Sequence, residues 1–175
     1  MAKKRKNRKP RTSHAVYCFI VEGCTEVNYI GLLKKIYRKP GEIKNCRGGS
    51  AKNVLYKADK FIQNNGDDYS GYVIWFDEDT YSQQDDSLKN KLSERTDTSV
   101  YITQPCVESW LLAHFQKINL NSQIQCKEYE NKLGKHIPGY KKSDCKLLEK
   151  YIGKDKIATA IQNYPNIGDI PKKFF

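Results

Sequence analysis

The sequence predicts an α/β domain: a mostly parallel sheet flanked by helices, with a helical C-terminal third. Two continuous apolar runs carry this prediction, Val-Tyr-Cys-Phe-Ile-Val at 16–21 and Tyr-Val-Ile-Trp-Phe at 72–76. A strand buried on both faces shows such a run instead of a polar alternation. Apolar residues at helical spacing recur between the strand-like segments, and strands alternating with helices imply right-handed crossovers that cover both faces of one sheet. A chain of 175 residues fits one ordinary core.

The first run ends at Glu22-Gly23, after which Val27, Ile30, Leu33 and Tyr37 fall at helical spacing until Pro40-Gly41. A second, short strand fits 42–46. Gly48-Gly49-Ser50 then opens a helix carrying Val54, Leu55, Ala58, Phe61 and Ile62 on one face, stopped by Asn64-Asn65-Gly66. The second apolar run ends in Asp77-Glu78-Asp79, and 80–86 reads as a polar loop. A weak helix through Leu88 and Leu92 follows, then a strand at 100–102 and an apolar helix over 106–115. Helical patterns recur at 124–133, 145–152 and 157–161, and they are expected to pack on one edge of the same domain. Residues 164–170 read as a loop after which the chain stops.

Composition narrows the function classes. No apolar stretch approaches the roughly 20 residues of a membrane span, and the N-terminus lacks the apolar segment of a secretion signal. The cysteines Cys18, Cys24, Cys46, Cys106, Cys126 and Cys145 form no C-x-x-C pair, so they read as reduced thiols of a cytoplasmic protein acting as small hydrophobes. The net charge is +11, and Lys3, Lys4, Arg5, Lys6, Arg8, Lys9 and Arg11 supply seven of it, leaving +4 for the rest. Residues 1–13 are therefore expected to be a disordered basic arm and 14–175 the folded domain. Such an arm neutralises nucleic-acid phosphates, or it serves only as a solubilising leader.

Chemistry is expected at the carboxyl ends of the strands, where loops converge in an open parallel sheet. Both strong strands end there in acid. If the extended conformation persists past Asp77, its side chain and that of Asp79 leave the chain on the same side, and Glu22 joins them if the two strands are neighbours. Three carboxylates at short range raise one another's pKa unless a cation sits among them. Oxygen-only ligands suit Mg²⁺ or Mn²⁺, which polarise phosphodiesters. The plain alternative is that acids follow strands because loops are polar and helix N-termini favour negative charge.

Three segments together resemble the RloB-like proteins of the wider Toprim-related group: Val-Glu-Gly-Cys-Thr-Glu-Val-Asn-Tyr at 21–29, Phe-Asp-Glu-Asp at 76–79, and Gln-Pro-Cys-Val-Glu-Ser-Trp-Leu-Leu-Ala-His-Phe at 104–115. The third is the most distinctive. The resemblance spans from about Val16 to Tyr140-Lys141-Lys142. It implies a Toprim-like, Rossmann-like fold in which Glu22, Asp77 and Asp79 bind Mg²⁺ and assist phosphodiester chemistry. It also implies an endonuclease of DNA or RNA in prokaryotic anti-phage or abortive-infection loci, controlled by a partner ABC-type ATPase. A Tyr-x-Lys feature places Lys142, beside Lys141, near the substrate. The alternative is a module that binds nucleic acid or regulates a partner without performing a reaction.

Other residues carry weaker signals. Glu26, one turn after Glu22, is an outer ligand or a first-turn acid complementing the helix dipole. Glu108 sits on an apolar helix and needs either a metal or a basic partner. His114 reads as a packed structural histidine, and His14 and His136 have no motif around them. Gly48, Gly49 and Ser50 precede a helix, where backbone N–H groups approach a phosphate, although the lysine of a P-loop is missing. Oligomeric state has no signature in the sequence.

Overall fold

The computed structural model describes residues 16–66, 68–120, 124–142 and 144–175. The basic arm at 1–13 and His14 lie outside the described residues. Four strands form one sheet, β1 (Tyr17–Val21), β2 (Glu42–Asn45), β3 (Gly71–Asp77) and β4 (Thr98–Thr103), in the order β2-β1-β3-β4 with every pair parallel. The helices are α1 (Cys24–Tyr37), α2 (Ala51–Asn65), α3 (Asp86–Ser93), α4 (Val107–Ala113), α5 (Cys126–His136), α6 (Cys145–Tyr151), α7 (Lys154–Asn163) and α8 (Pro165–Phe174). The α/β fold with a mostly parallel sheet and a helical C-terminal third is therefore present.

The two apolar runs are the two central strands, and β3 is buried along its whole length. Period-2 alternation divides their side chains between two cores. Phe19, Val21, Val73, Trp75 and Tyr101 face α1, α4 and the C-terminal helices, while Cys18, Ile20, Tyr72, Ile74 and Phe76 face α2 with Leu92 of α3. Edge strand β2 is short and charged, with Glu42 exposed, which discourages pairing with another chain. The register pairs Val21 with both Asn45 and Trp75, and the Glu22 amide donates to the Trp75 carbonyl at 3.1 Å. The carboxyl ends of β2, β1 and β3 are thereby brought side by side.

Three expectations are corrected. Residues 80–86 contain structure: Glu78–Thr80 and Gln83–Asp85 form 3₁₀ turns, and α3 begins at Asp86. Of residues 164–170, Tyr164 is the N-cap of α8 and 165–170 lie in that helix rather than in a loop. Pro165 sits in its first turn, where a missing N–H costs nothing, and buried Ile167, Ile170 and Pro171 recur at helical spacing. The C-terminal helices also layer over one face rather than an edge, where Phe174 meets Tyr17 and Phe19 at ring separations of 5.0 and 6.0 Å.

The α7–α8 crossing depends on Gly168. A Cβ there would lie 2.9 Å from Ile161 Cα and 3.2 Å from its carbonyl oxygen. Glycine-to-alanine inside a helix ordinarily stabilises by about 1 kcal/mol. Gly168→Ala is expected to reverse that sign, and a thermal melt showing a higher midpoint would contradict this packing.

Candidate functional site

The carboxyl edge of the sheet opens into a cavity of about 450 Å³ lined by residues including Glu22, Glu26, Asp77, Asn45, Arg47 and Lys142. Each comes from a local stop. Glu22 closes β1, and its Oε2 accepts the Asp77 N–H at 3.0 Å, which ties the ends of β1 and β3 together. Glu26 lies on the first turn of α1, and its Oε2 accepts the Gly23 N–H at 3.1 Å, so it caps the helix and also faces the cavity. Asp77 is the last residue of β3; it is buried, and among the described residues its Oδ1 has no hydrogen-bond partner.

Behind these stands Glu108 on α4, fully buried. Its basic partner is Lys142, whose Nζ lies 3.1 Å from Oε1, and Tyr140 Oη donates to the same oxygen at 3.3 Å. Among the described residues, Glu108 Oε2 has no partner. The Lys142 carbonyl in turn accepts from Thr25 Oγ1 at 3.3 Å and Asn28 Nδ2 at 3.5 Å. The 140–142 segment therefore straps α1 to α4 across the site. Lysine 142, expected at the substrate, is committed in this structure to neutralising Glu108.

The electrostatics follow from one sign of charge in a desolvated place. Burial, then the charges of Glu26 and Glu22, push Asp77 well above the usual carboxylate range. Burial raises Glu26 to about 7, helped by the charge of Glu22 and opposed by its backbone hydrogen bonds. Glu22 is also raised, chiefly by burial and then by Asp79, against the pull of the Asp77 amide and Lys142. For Lys142, burial works against the charge, but the charge and hydrogen bond of Glu108 outweigh it, and the ammonium titrates above its ordinary value.

Other expected residues fall outside this arrangement. The extended conformation that pairing Asp77 with Asp79 required stops at Asp77, because a 3₁₀ turn begins at Glu78. Asp79 is exposed and outside the cavity lining; its N–H donates to the Pro105 carbonyl at 3.2 Å, and Cys126 Sγ lies 3.9 Å from its Oδ2. Among the described residues, no three His, Cys, Asp or Glu side chains are grouped so that they could hold a metal ion as they stand. Gly48 lines the cavity, whereas Gly49, Ser50 and exposed Lys141 do not. The Ala51 amide at the start of α2 is taken by Thr80 Oγ1 at 2.9 Å, so it does not await a phosphate.

His114 is the packed histidine the sequence indicated. It is fully buried, its Nδ1 lies 3.0 Å from the Trp110 carbonyl, and its Nε2 lies 3.0 Å from Tyr29 Oη. The carbonyl can only accept, so Nδ1 carries the proton and Nε2 accepts from the tyrosine. His136 stacks on Phe115 with centroids 4.9 Å apart.

These segments, at these places, lie within one family match: residues 17–171 fit the model described as RloB-like protein. The chain belongs to the RloB-like family. Neither the curated proteins nor the solved structures contain a match to it. The family match covers both strand-end acids, Glu108 and Lys142, and thus the whole cavity wall.

Asn45, Arg47, Thr25 and Tyr140 were not singled out from the sequence. Asn45 has a signal, since it ends a strand beside β1; Thr25, on α1, and Tyr140 stand within the quoted family segments; Arg47 alone of the four faces the site only through loop geometry. The strap yields a prediction. Lys142→Met leaves the Glu108 carboxylate buried without its cation. Since Lys142 is half exposed, the loss should fall below the ~3–5 kcal/mol of a fully buried pair. A melt should show a lower midpoint for Lys142→Met and partial recovery in Lys142→Met/Glu108→Gln; equal midpoints for wild type and single variant would remove the strap's structural role.

Proposed function

We propose that this RloB-like chain is a Mg²⁺- or Mn²⁺-dependent endonuclease of Toprim type that hydrolyses phosphodiesters of DNA or RNA. The observation that carries the proposal is the pair of buried carboxylate oxygens without partners, Asp77 Oδ1 and Glu108 Oε2. They sit in a group that also includes Glu22 and Glu26 and has one lysine as counter-charge. Buried charge without compensation is unfavourable, and the donors are all hard oxygens. That set fits a hard divalent ion, with Glu22 and Asp77 as principal ligands, Glu26 and Glu108 beside them, and Asp79 contributing negative charge from the rim.

Such an ion supplies polarisation of the phosphodiester and an acidified water. The chain's own groups supply the rest. Glu26 and Glu22 both line the cavity, each with its Oε2 held by a backbone N–H, and these two are the general acid–base candidates. Lys142 holds Glu108 in place and offers positive charge at the cavity wall. The basic arm adds phosphate affinity. The family likeness supports a setting in anti-phage defence, with a partner ABC-type ATPase controlling the cut.

The second reading, an inactive module that binds nucleic acid, draws on the exposed position of Asp79 and the absence, among the described residues, of three such side chains grouped to hold a metal ion as they stand. Incubation of the purified chain with plasmid, single-stranded DNA and transfer RNA, with and without Mn²⁺, separates the two. The nuclease reading expects Mn²⁺-dependent shortening of at least one substrate. Intact substrates throughout, with Mn²⁺ bound to a folded chain, would leave only the module.

A further inference from the structure

Opposite the acidic wall, the cavity is bounded by a turn of unusual backbone. Arg47, Gly48 and Gly49 all have positive φ, at 62°, 76° and 110°. Glycine adopts this region freely, whereas arginine is held there at a cost of about 1–2 kcal/mol. The surrounding hydrogen bonds impose it. The Cys46 N–H donates to the Val21 carbonyl at 2.8 Å, the Arg47 N–H to Asn45 Oδ1 at 2.7 Å, and the Gly48 N–H to the Glu22 carbonyl at 2.7 Å. From α2, Lys57 Nζ binds the Cys46 carbonyl at 2.7 Å and Asn53 Nδ2 the Gly48 carbonyl at 3.1 Å. The turn is pinned to the residue that closes β1 and to the helix behind it.

This pinned turn contributes Arg47, an exposed residue, to the cavity lining. Among the described residues its guanidinium has neither an ion-pair partner nor a hydrogen bond, although Glu22, Glu26 and Asp77 line the same cavity. The other cation in the lining, Lys142, is already engaged with Glu108. A permanently charged planar fork, carried on a pinned backbone turn beside an acidic site, matches an anion that accepts two parallel N–H bonds, and phosphate is such an anion. Strained residues held by over-determined surroundings cluster at functional sites.

We propose that Arg47 grips a backbone phosphate of the nucleic acid next to the phosphodiester presented to Glu22 and Asp77, and so sets the register of the strand in the cavity. This rests on the nuclease reading and names the residue through which that site takes its polymer. Arg47 is a binding and positioning residue; no bond is made or broken on it.

The test measures binding, so that cleavage does not enter. In full-length Asp77→Asn protein, fluorescein-labelled single-stranded RNA and DNA are titrated by anisotropy over a range of salt. Replacing Arg47 with glycine removes the guanidinium without backbone strain, so the melting midpoint should hold or rise. Arg47→Gly is expected to weaken Kd about 10-fold and to flatten the slope of log K against log salt by about 0.7, one phosphate contact on a single strand. Arg47→Lys should keep the slope and lose part of the affinity. Competition by inorganic phosphate or a mononucleotide only at far higher concentration than the oligonucleotide identifies the polymer as the ligand; equal competition would overturn that part. Unchanged Kd and slope in Arg47→Gly, with Asp77→Asn still binding, overturns the role of Arg47 and leaves the nuclease reading standing. If Asp77→Asn binds neither nucleic acid at low salt, both fall.

Discussion

Asp77→Asn is expected to lose Mn²⁺-dependent cleavage by at least ~100-fold, the upper end of what even an outer-shell change costs a metal site, while its metal-free form melts higher than wild type. The two effects have one origin. Asp77 is buried, its Oδ1 is unpaired, and Glu26 and Glu22 raise its pKa after burial itself. Asparagine keeps the shape and the volume but removes one of the charges that repel one another. Relief of about 1 kcal/mol shifts the midpoint of a chain this size by roughly 2–4 °C. Wild-type protein with saturating Mn²⁺ should recover that stability through the ion, whereas the variant should gain little. A midpoint several degrees below wild type without metal would mean that the hydrogen bond Asp77 accepts from the Val107 amide outweighs the repulsion among the carboxylates.

The second large effect is the pH dependence of the metal-free fold. A carboxyl group whose pKa is raised by folding favours the folded state below its unfolded pKa, and that advantage is lost as pH rises through the folded value. For Glu26 the loss runs from 4.5 to about 7 and amounts to roughly 3 kcal/mol. Asp77 and Glu22 act in the same direction. His114 has the opposite sign: burial lowers its pKa from 6.5 to about 4, so its neutral form contributes stability above 6.5 that is lost as pH falls toward 4, again roughly 3 kcal/mol. Below pH 6.5 the two kinds of group oppose one another. From 6.5 upward only the carboxylates still titrate, and the midpoint of metal-free protein should fall between pH 6.5 and 8. Asp77→Asn should reduce that fall and Mn²⁺ should abolish it. A metal-free midpoint that rises over the same interval would show that the cluster carries no such strain.

The architecture was legible because β1 and β3 are buried on both faces and leave an uninterrupted apolar record, with Glu22 and Asp77 marking where each strand meets the site. Glu108 was legible as a charge in need of a partner, although its partner, 34 positions away, is supplied by tertiary packing. Periodicity misread α8, since Pro165 and Pro171 look like breakers until the first is seen at a helix start and the buried face of the helix is counted. The same-side projection of Asp77 and Asp79 fails for a local reason: a period of two holds only while the chain stays extended, and it turns at Glu78. Arg47 had no pattern to reveal it, because its position follows from hydrogen bonds reaching its turn from β1 and α2. Strand ends can be read from a sequence; the side of a cavity that a loop residue faces cannot.

The most direct test of the carboxylate group as a cation site is calorimetric titration of Mn²⁺ into the intact chain at pH 7.5, repeated on Asp77→Asn. Saturable binding to the wild type that is lost in the variant, with both proteins folded, is the predicted result. A folded wild type that takes up no Mn²⁺ and shows no rise in melting temperature with it would contradict the account.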